Sequence, residues 1–173
     1  MSSLAATLPA SAFPAYAPPA PRRAMIVPPN AGTTLTAFGD EIVFKLGSAE
    51  TGGLLTLALG TVPPGGGPPP HVHRDEDEVF ILVSGRNEYW VDGRWTAAAE
   101  PGTVVYLPRG VPHTFRNAGD APSRQWVITT PGGFDHFFAD CAQVFADAAA
   151  AGAAPDMTRV MAAFARHGLQ LVA

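Results

Sequence analysis

From Met25 to Thr130 the apolar residues come in short runs, rich in β-branched and aromatic side chains, with glycine and proline between them. Glu41–Leu46, Leu54–Val62, Val79–Val83, Glu88–Val91, Val104–Leu107 and Trp126–Thr130 each read as a strand. Asp92-Gly93 lies between Tyr89-Trp90-Val91 and Arg94-Trp95-Thr96. It predicts a type I′ hairpin, whose two central residues need positive φ. Many short strands with frequent turns predict an all-β sandwich or barrel.

Past Thr130 the period changes. Phe134, Phe137, Phe138, Cys141, Val144, Phe145 and Ala148 recur at steps of three and four, which predicts an amphipathic helix over 134–149. A second helix opens at Pro155-Asp156, with Met157, Val160, Met161 and Phe164 on one face, and closes at His167-Gly168. The glycine suits the position after the helix end and the histidine suits the negative end of the dipole. Gln170–Val172 then returns as a short strand. The helices either cap barrel surface or use the aromatic face of 134–145 to close a cavity mouth.

Composition narrows the class. The chain has 173 residues, 47% hydrophobic and 15% charged, which is a globular balance in one domain. A domain of this size buries about two-thirds of its unfolded surface. Three segments are expected: an Ala/Pro-rich arm over 1–24, a β-barrel over 25–132, and a helical extension over 133–173 that packs on the barrel. The first basic residue is Arg22, and Pro9, Pro14, Pro18, Pro19 and Pro21 interrupt the apolar residues before it. That is not the pattern of a secretory leader. The arm is read as free, with a strap along the barrel or a neighbouring subunit as the alternative.

Net charge is -4, and the 11 basic residues are scattered, so no nucleic-acid or anionic-membrane surface is expected. No run approaches the ~18 apolar residues of a membrane span. The single cysteine, Cys141, excludes an internal disulfide and a thiolate zinc site and is compatible with a cytoplasmic location.

Three of the five histidines fall into two local patterns. Gly65, His71, His73, Glu78 and Gly85 form the first; Gly102, Pro108, Gly110, His113 and Asn117 form the second. Residues i and i+2 of a strand share a face, so His71 and His73 project side by side. Glu78 is an odd step from His73 and joins them only if the chain bends between them. Arg74-Asp75-Glu76-Asp77 is polar enough to be that bend. His113 arrives from a distant strand through the turn-rich Pro108–Pro112. Three imidazoles and a carboxylate suit one divalent transition metal ion per chain: Fe, Mn, Ni, Co, Cu or Zn. Four protein ligands leave positions for water or a chelating substrate.

Other residues have plainer readings. Asp75 and Glu76 are alternatives to Glu78 as ligand, but Glu78 opens an apolar run that fixes its direction. His136 and His167 read as surface residues at helix ends, and Cys141 as core. Trp90, Trp95 and Trp126 read as packing rather than substrate platforms. Pro63–Pro70, PPGGGPPP, reads as the loop that delivers His71.

Both patterns match the two cupin motifs at each defining position. From Met25 onward the chain also resembles the quercetinase-like, single-domain bacterial cupins. Gly39-Asp40, Thr51-Gly52-Gly53, Pro63–His73, Glu76–Phe80, Leu107–Asn117, and Pro131–Phe134 followed by Phe137-Phe138 carry that likeness. It implies a jelly-roll barrel (a double-stranded β-helix) with two short C-terminal helices, paired as a homodimer, with the metal inside on His71, His73, Glu78 and His113. In flavonol dioxygenases the matching glutamate also acts as base, a catalytic role that would fall to Glu78. Thr103 and Ser84 stand where acidic residues are common in the family, which argues against assuming the same substrate.

Two classes of function follow. One is a metal-dependent dioxygenase acting on a small aromatic or enolisable substrate, with a cupin isomerase as a weaker variant. Phe80, Leu82 and Phe115 are the apolar residues expected near the ligands. The other is a non-catalytic binder or sensor of a small ligand or of the metal.

Overall fold

The computed structural model describes residues 23–172; the expected arm over 1–24 lies outside them except for its last two residues. The first strands are β1 (Thr33–Ala37), β2 (Asp40–Leu46) and, after the one-turn helix α1 (Ser48–Thr51), β3 (Thr56–Val62). There follow β4 (His71–His73), β5 (Asp77–Ser84), β6 (Asn87–Val91), β7 (Arg94–Trp95), β8 (Val104–Leu107), β9 (His113–Asn117) and β10 (Ser123–Thr130). Helices α2 (Phe134–Ala151) and α3 (Met157–Arg166) precede the last strand, β11 (Leu169–Leu171).

The strands form two antiparallel sheets, one in the order β1-β2-β3-β10-β5-β8 and the other β11-β4-β9-β6-β7. Two sheets, rather than the closed barrel expected, are what the hydrogen bonds define; the arrangement is consistent with a jelly roll. Inward and outward residues alternate as a half-buried sheet requires. On β3, Thr56, Ala58, Gly60 and Val62 face in, and on β10 Ser123, Gln125, Val127 and Thr129 do the same. Their apolar members pack against Phe80, Tyr89, Leu107 and Phe115.

The Asp92-Gly93 turn has the positive φ values expected, 47° and 84°. A second turn of this kind joins β1 to β2, with Phe38 at φ 58° and Gly39 at 85°. A bulky residue seldom takes that conformation. Here ring packing holds it: Phe38 stacks edge-on against Phe138, Phe145 and Phe164 of the helices.

Helix α2 has 18 residues, starting where expected and running two residues past the expected end at 149. Its alanine-rich last turn adds helix propensity without adding to the apolar stripe. Asp156 caps α3 by accepting from the N–H groups of Thr158 and Arg159. Gly168, at φ 73°, turns the chain out of α3 and into β11. β11 then pairs with β4, Leu169 opposite His73 and Leu171 opposite His71. No helix of the described residues is long and apolar enough to cross a membrane.

Candidate metal centre

The bend required between His73 and Glu78 is present, and it does more than correct a parity. β4 belongs to the five-stranded sheet and β5 to the six-stranded one, so the chain crosses between sheets at Arg74-Asp75-Glu76. Glu78 therefore faces the histidines from the opposite wall. His113 opens β9 directly beside β4, in register with His71. All four side chains are buried, with one ligand atom from each within 4.8 Å of the others.

The flanking loops fix these positions. The Pro63–Pro70 loop lies along β9: Gly65 N–H donates to Asn117 O, Asn117 N–H to Gly66 O, and the Thr114 hydroxyl to Pro68 O. Gly67 passes so close to the Phe115 carbonyl that any side chain would overlap it. On the other side, Gly110 N–H donates to His73 O at 2.8 Å. Arg109 donates its backbone N–H and its Nε–H to Asp77 Oδ1, each at 2.9 Å, which ties the approach to His113 to the strand of Glu78.

Each histidine is oriented through Nδ1. The His71 Nδ1–H donates to Pro69 O at 2.9 Å, that of His113 to Val111 O at 2.9 Å, and that of His73 to Glu76 Oε2 at 3.0 Å. This places the proton on Nδ1 and the lone pair on Nε2, the arrangement that metal-binding imidazoles adopt. His113 Nε2 is 3.0 Å and His73 Nε2 3.7 Å from Glu78 Oε2, and His73 Nε2 is buried without a hydrogen-bond partner. Lone pairs converging on a carboxylate oxygen call for a cation among them. The donor set and this orphaned nitrogen both fit a divalent ion.

Electrostatics agree. Burial, helped by the neighbouring His113 and His73, lowers the His71 pKa to about 3, so this imidazole is neutral. Burial acts the same way on His73, but Glu78 and Glu76 outweigh it and raise its pKa. Burial would raise that of Glu78, yet the facing His73 and His113 hold its carboxyl below the usual range.

The centre opens into a cavity of about 290 Å³ between the sheets, with His71 and Glu78 in its wall. Phe80 and Phe115 line it, as expected, while Leu82 faces inward but lies outside it. Phe134, Phe137 and Phe138 of α2 close one side, so the aromatic helix face does border a cavity. Met157 and Met161 of α3 are exposed at its rim. No lysine or arginine of the described residues lines it. Asp40 does, half-buried, and burial pushes its carboxyl up from 3.8 to about 6.

Sequence reasoning placed Glu76 only as a substitute ligand. It is instead the acceptor that orients His73, a role with the sequence signal of an acid in the bend itself. Gln125 carries no signal in the sequence, and Asp40 enters there only among the residues of the cupin likeness; the fold brings both to the cavity. Cys141 is fully buried, as read. His136 is exposed, whereas His167 is 19% exposed and bonded to Asp140 Oδ2, not free at the surface. None of the three tryptophans lines the cavity.

Residues 58–129 match the family model described as a cupin domain. Comparison with curated proteins finds no match. Among solved structures, the chain is similar to a predicted oxalate decarboxylase from Thermotoga maritima: 19% identity, 62% of this chain and 99% of that one, TM-score 0.56. It is also similar to an RmlC-like cupin from Shewanella frigidimarina, at 16% identity over 62% of this chain and 91% of that one, TM-score 0.53. The cupin domain of Schizosaccharomyces pombe Cnp3 aligns at 14% identity over 62% of this chain and 74% of that one, TM-score 0.51. At these identities the likeness is one of fold.

Proposed function

With a cupin domain over residues 58–129 as the premise, we propose that the protein holds one divalent transition metal ion on His71, His73, Glu78 and His113 and works as a dioxygenase on a small aromatic, enolisable substrate. The reading rests above all on one observation: the ligand cluster opens into an aromatic cavity whose described lining includes no lysine or arginine. An anionic substrate such as a dicarboxylate or a sugar phosphate would find the ion as its single counter-charge, with none along the described cavity wall. A flat, neutral flavonol or diketone suits it better.

The chain's residues divide the work. Phe80, Phe115 and Phe134 offer ring faces and edges to the substrate and keep water out. His71 and Glu78 reach the cavity wall, so a chelating hydroxyl and carbonyl would be presented to them. Glu78, held ionised, takes the proton of the substrate hydroxyl on a carboxylate oxygen. Glu76, Pro69 and Val111 hold the three imidazoles in place meanwhile. When bound, the ion supplies Lewis-acid polarisation of the substrate and a site for dioxygen chemistry.

Elemental analysis should find about one ion per chain, lost on His71→Ala or His113→Ala. Protein loaded with Fe, Mn, Ni, Co, Cu or Zn in turn should consume oxygen with a flavonol or a diketone. Tight binding without consumption for every metal would overturn the dioxygenase reading and favour the binder or sensor.

We also propose a cytoplasmic homodimer. The outer face of the six-stranded sheet supports the pairing: Val104 and Tyr106 are each 61% exposed on the edge strand β8, beside the exposed Val83 on β5. Sedimentation of wild type against Tyr106→Lys tests the contact, and a monomeric wild type would sink it.

A further inference from the structure

The cavity reaches beyond the histidine–glutamate cluster to a polar group that the metal chemistry leaves unused. Gln125 on β10 is 1% exposed and lines the cavity. Its Oε1 accepts two hydrogen bonds, from Asn87 Nδ2 and from the Tyr89 hydroxyl, each at 2.9 Å. Those donors fix the amide and turn its Nε2 away from them. Nε2 is buried and has no partner among the described residues. Asn87 Oδ1 and Ser123 Oγ are likewise buried without a partner, but neither residue lines the cavity; buried N–H groups are nearly always paired, so the orphan on the residue that does line it points to a partner that comes with a ligand.

The surroundings say what that partner is. Gly60 stands opposite Gln125 in register and lines the same cavity; it carries no side chain, and a Cβ there would sit in ordinary contact with the Gln125 carbonyl oxygen at 3.9 Å and with Val127 Cγ2 at 4.0 Å. Glu78 pairs with Thr129 and Leu82 with Gln125, which puts the amide four strand positions from the ligand row, about 13 Å at 3.3 Å per residue. Phe80 and Val127 occupy the level between them. Asp40 and Glu41 also border the cavity, which disfavours an anionic group.

Resting on the aromatic-substrate reading above, we propose that Gln125 sets specificity at the end of the substrate remote from the metal: its Nε2–H donates to a neutral oxygen, a phenolic hydroxyl or ring carbonyl. The ligand is then an elongated aromatic molecule, chelating at one end and accepting a hydrogen bond at the other.

The test is equilibrium binding to the metal-loaded full chain with oxygen excluded, so that it is independent of turnover. The probes are 3-hydroxyflavone and its analogue with one added hydroxyl on the phenyl ring. Wild type should bind the hydroxylated probe about tenfold more tightly. Gln125→Leu should erase that preference and leave the affinity for 3-hydroxyflavone within about twofold. Tyr89→Phe removes one of the two bonds that aim the amide and should cut the preference about threefold, so it carries the test if the leucine variant does not fold. Metal content measured on each variant separates a failure of this proposal from a failure of the metal site. A preference that survives in Gln125→Leu overturns the proposal. So does equal binding of the two probes by wild type, which would mean the amide serves an internal water only, or binding of neither.

Discussion

Glu76 Oε2 accepts the Nδ1–H of His73 at 3.0 Å across three positions of sequence, with both side chains buried. The bend that carries the chain from one sheet to the other therefore anchors the last ligand before the bend. Glu76 Oε1 in turn lies against the start of α2, where a Cβ on Gly133 would meet it at 2.8 Å.

Loss of this contact should show in metal affinity before it shows in the fold. Glu76→Ala is expected to weaken binding about 10–100-fold, and Glu76→Gln, which keeps an acceptor, by less. Competition against a chromophoric chelator measures both. Unchanged affinity in Glu76→Ala would mean that backbone alone positions His73.

Metal binding should also raise stability, because the four ligands are assembled only in the folded chain. At free metal 100-fold above Kd the gain is about 2.7 kcal/mol. That corresponds to a melting shift of about 5–10 °C for a domain of this size. Calorimetry with and without chelator reads it, and His113→Ala should remove the shift.

The glycines of the Pro63–Pro70 loop are not equivalent. Gly67→Ala drives a methyl into the Phe115 carbonyl oxygen at φ 146° and should cost about 3 kcal/mol or more. Gly65→Ala, at φ 74° with open space around it, should cost only about 1 kcal/mol. Urea unfolding of the two variants gives the comparison, and equal losses would contradict it.

Asp40 gives the stability a pH dependence of opposite sign to that of a salt-bridged acid. Its folded pKa of about 6 lies above its ordinary 3.8, so the folded state binds the proton more tightly. Its contribution is fully present below about pH 4 and is lost as pH rises through 6. Allowing for solvent screening, Asp40→Asn should gain about 1–2 kcal/mol over wild type at pH 8 and nothing at pH 4. Denaturation curves at the two pH values check it. A gain at pH 4 as large as at pH 8 would assign it to another cause.

What the sequence disclosed was local. His71 and His73 were legible because strand parity is local, and the odd step to Glu78 forced a bend, which the structure supplies as a crossing between sheets. Asp92-Gly93 was legible as a turn; Phe38-Gly39 was not, because phenylalanine carries no turn signal and is held there by rings on two distant helices. β1 escaped notice because Thr33–Ala37 has almost no apolar alternation and gains its order by pairing with β2. The second carboxylate at the bend was visible, but its task depends on which way His73 turns. Gln125 and Asp40 acquire meaning only from the register of β2, β3 and β10.

The strand bearing His71 and His73 is three residues long, and its outer edge is closed by β11, far along the chain. A ribosome thus finishes all four ligands well before it makes the strand that seals them. Until then one side of the nascent site stays open. The closing strand is itself brief, fastened at its ends by Arg74 N–H on Gly168 O and Val172 N–H on Pro70 O. In the finished protein the lifetime of a bound ion is accordingly expected to follow the fraying of this short strand, a local opening that leaves the two sheets together.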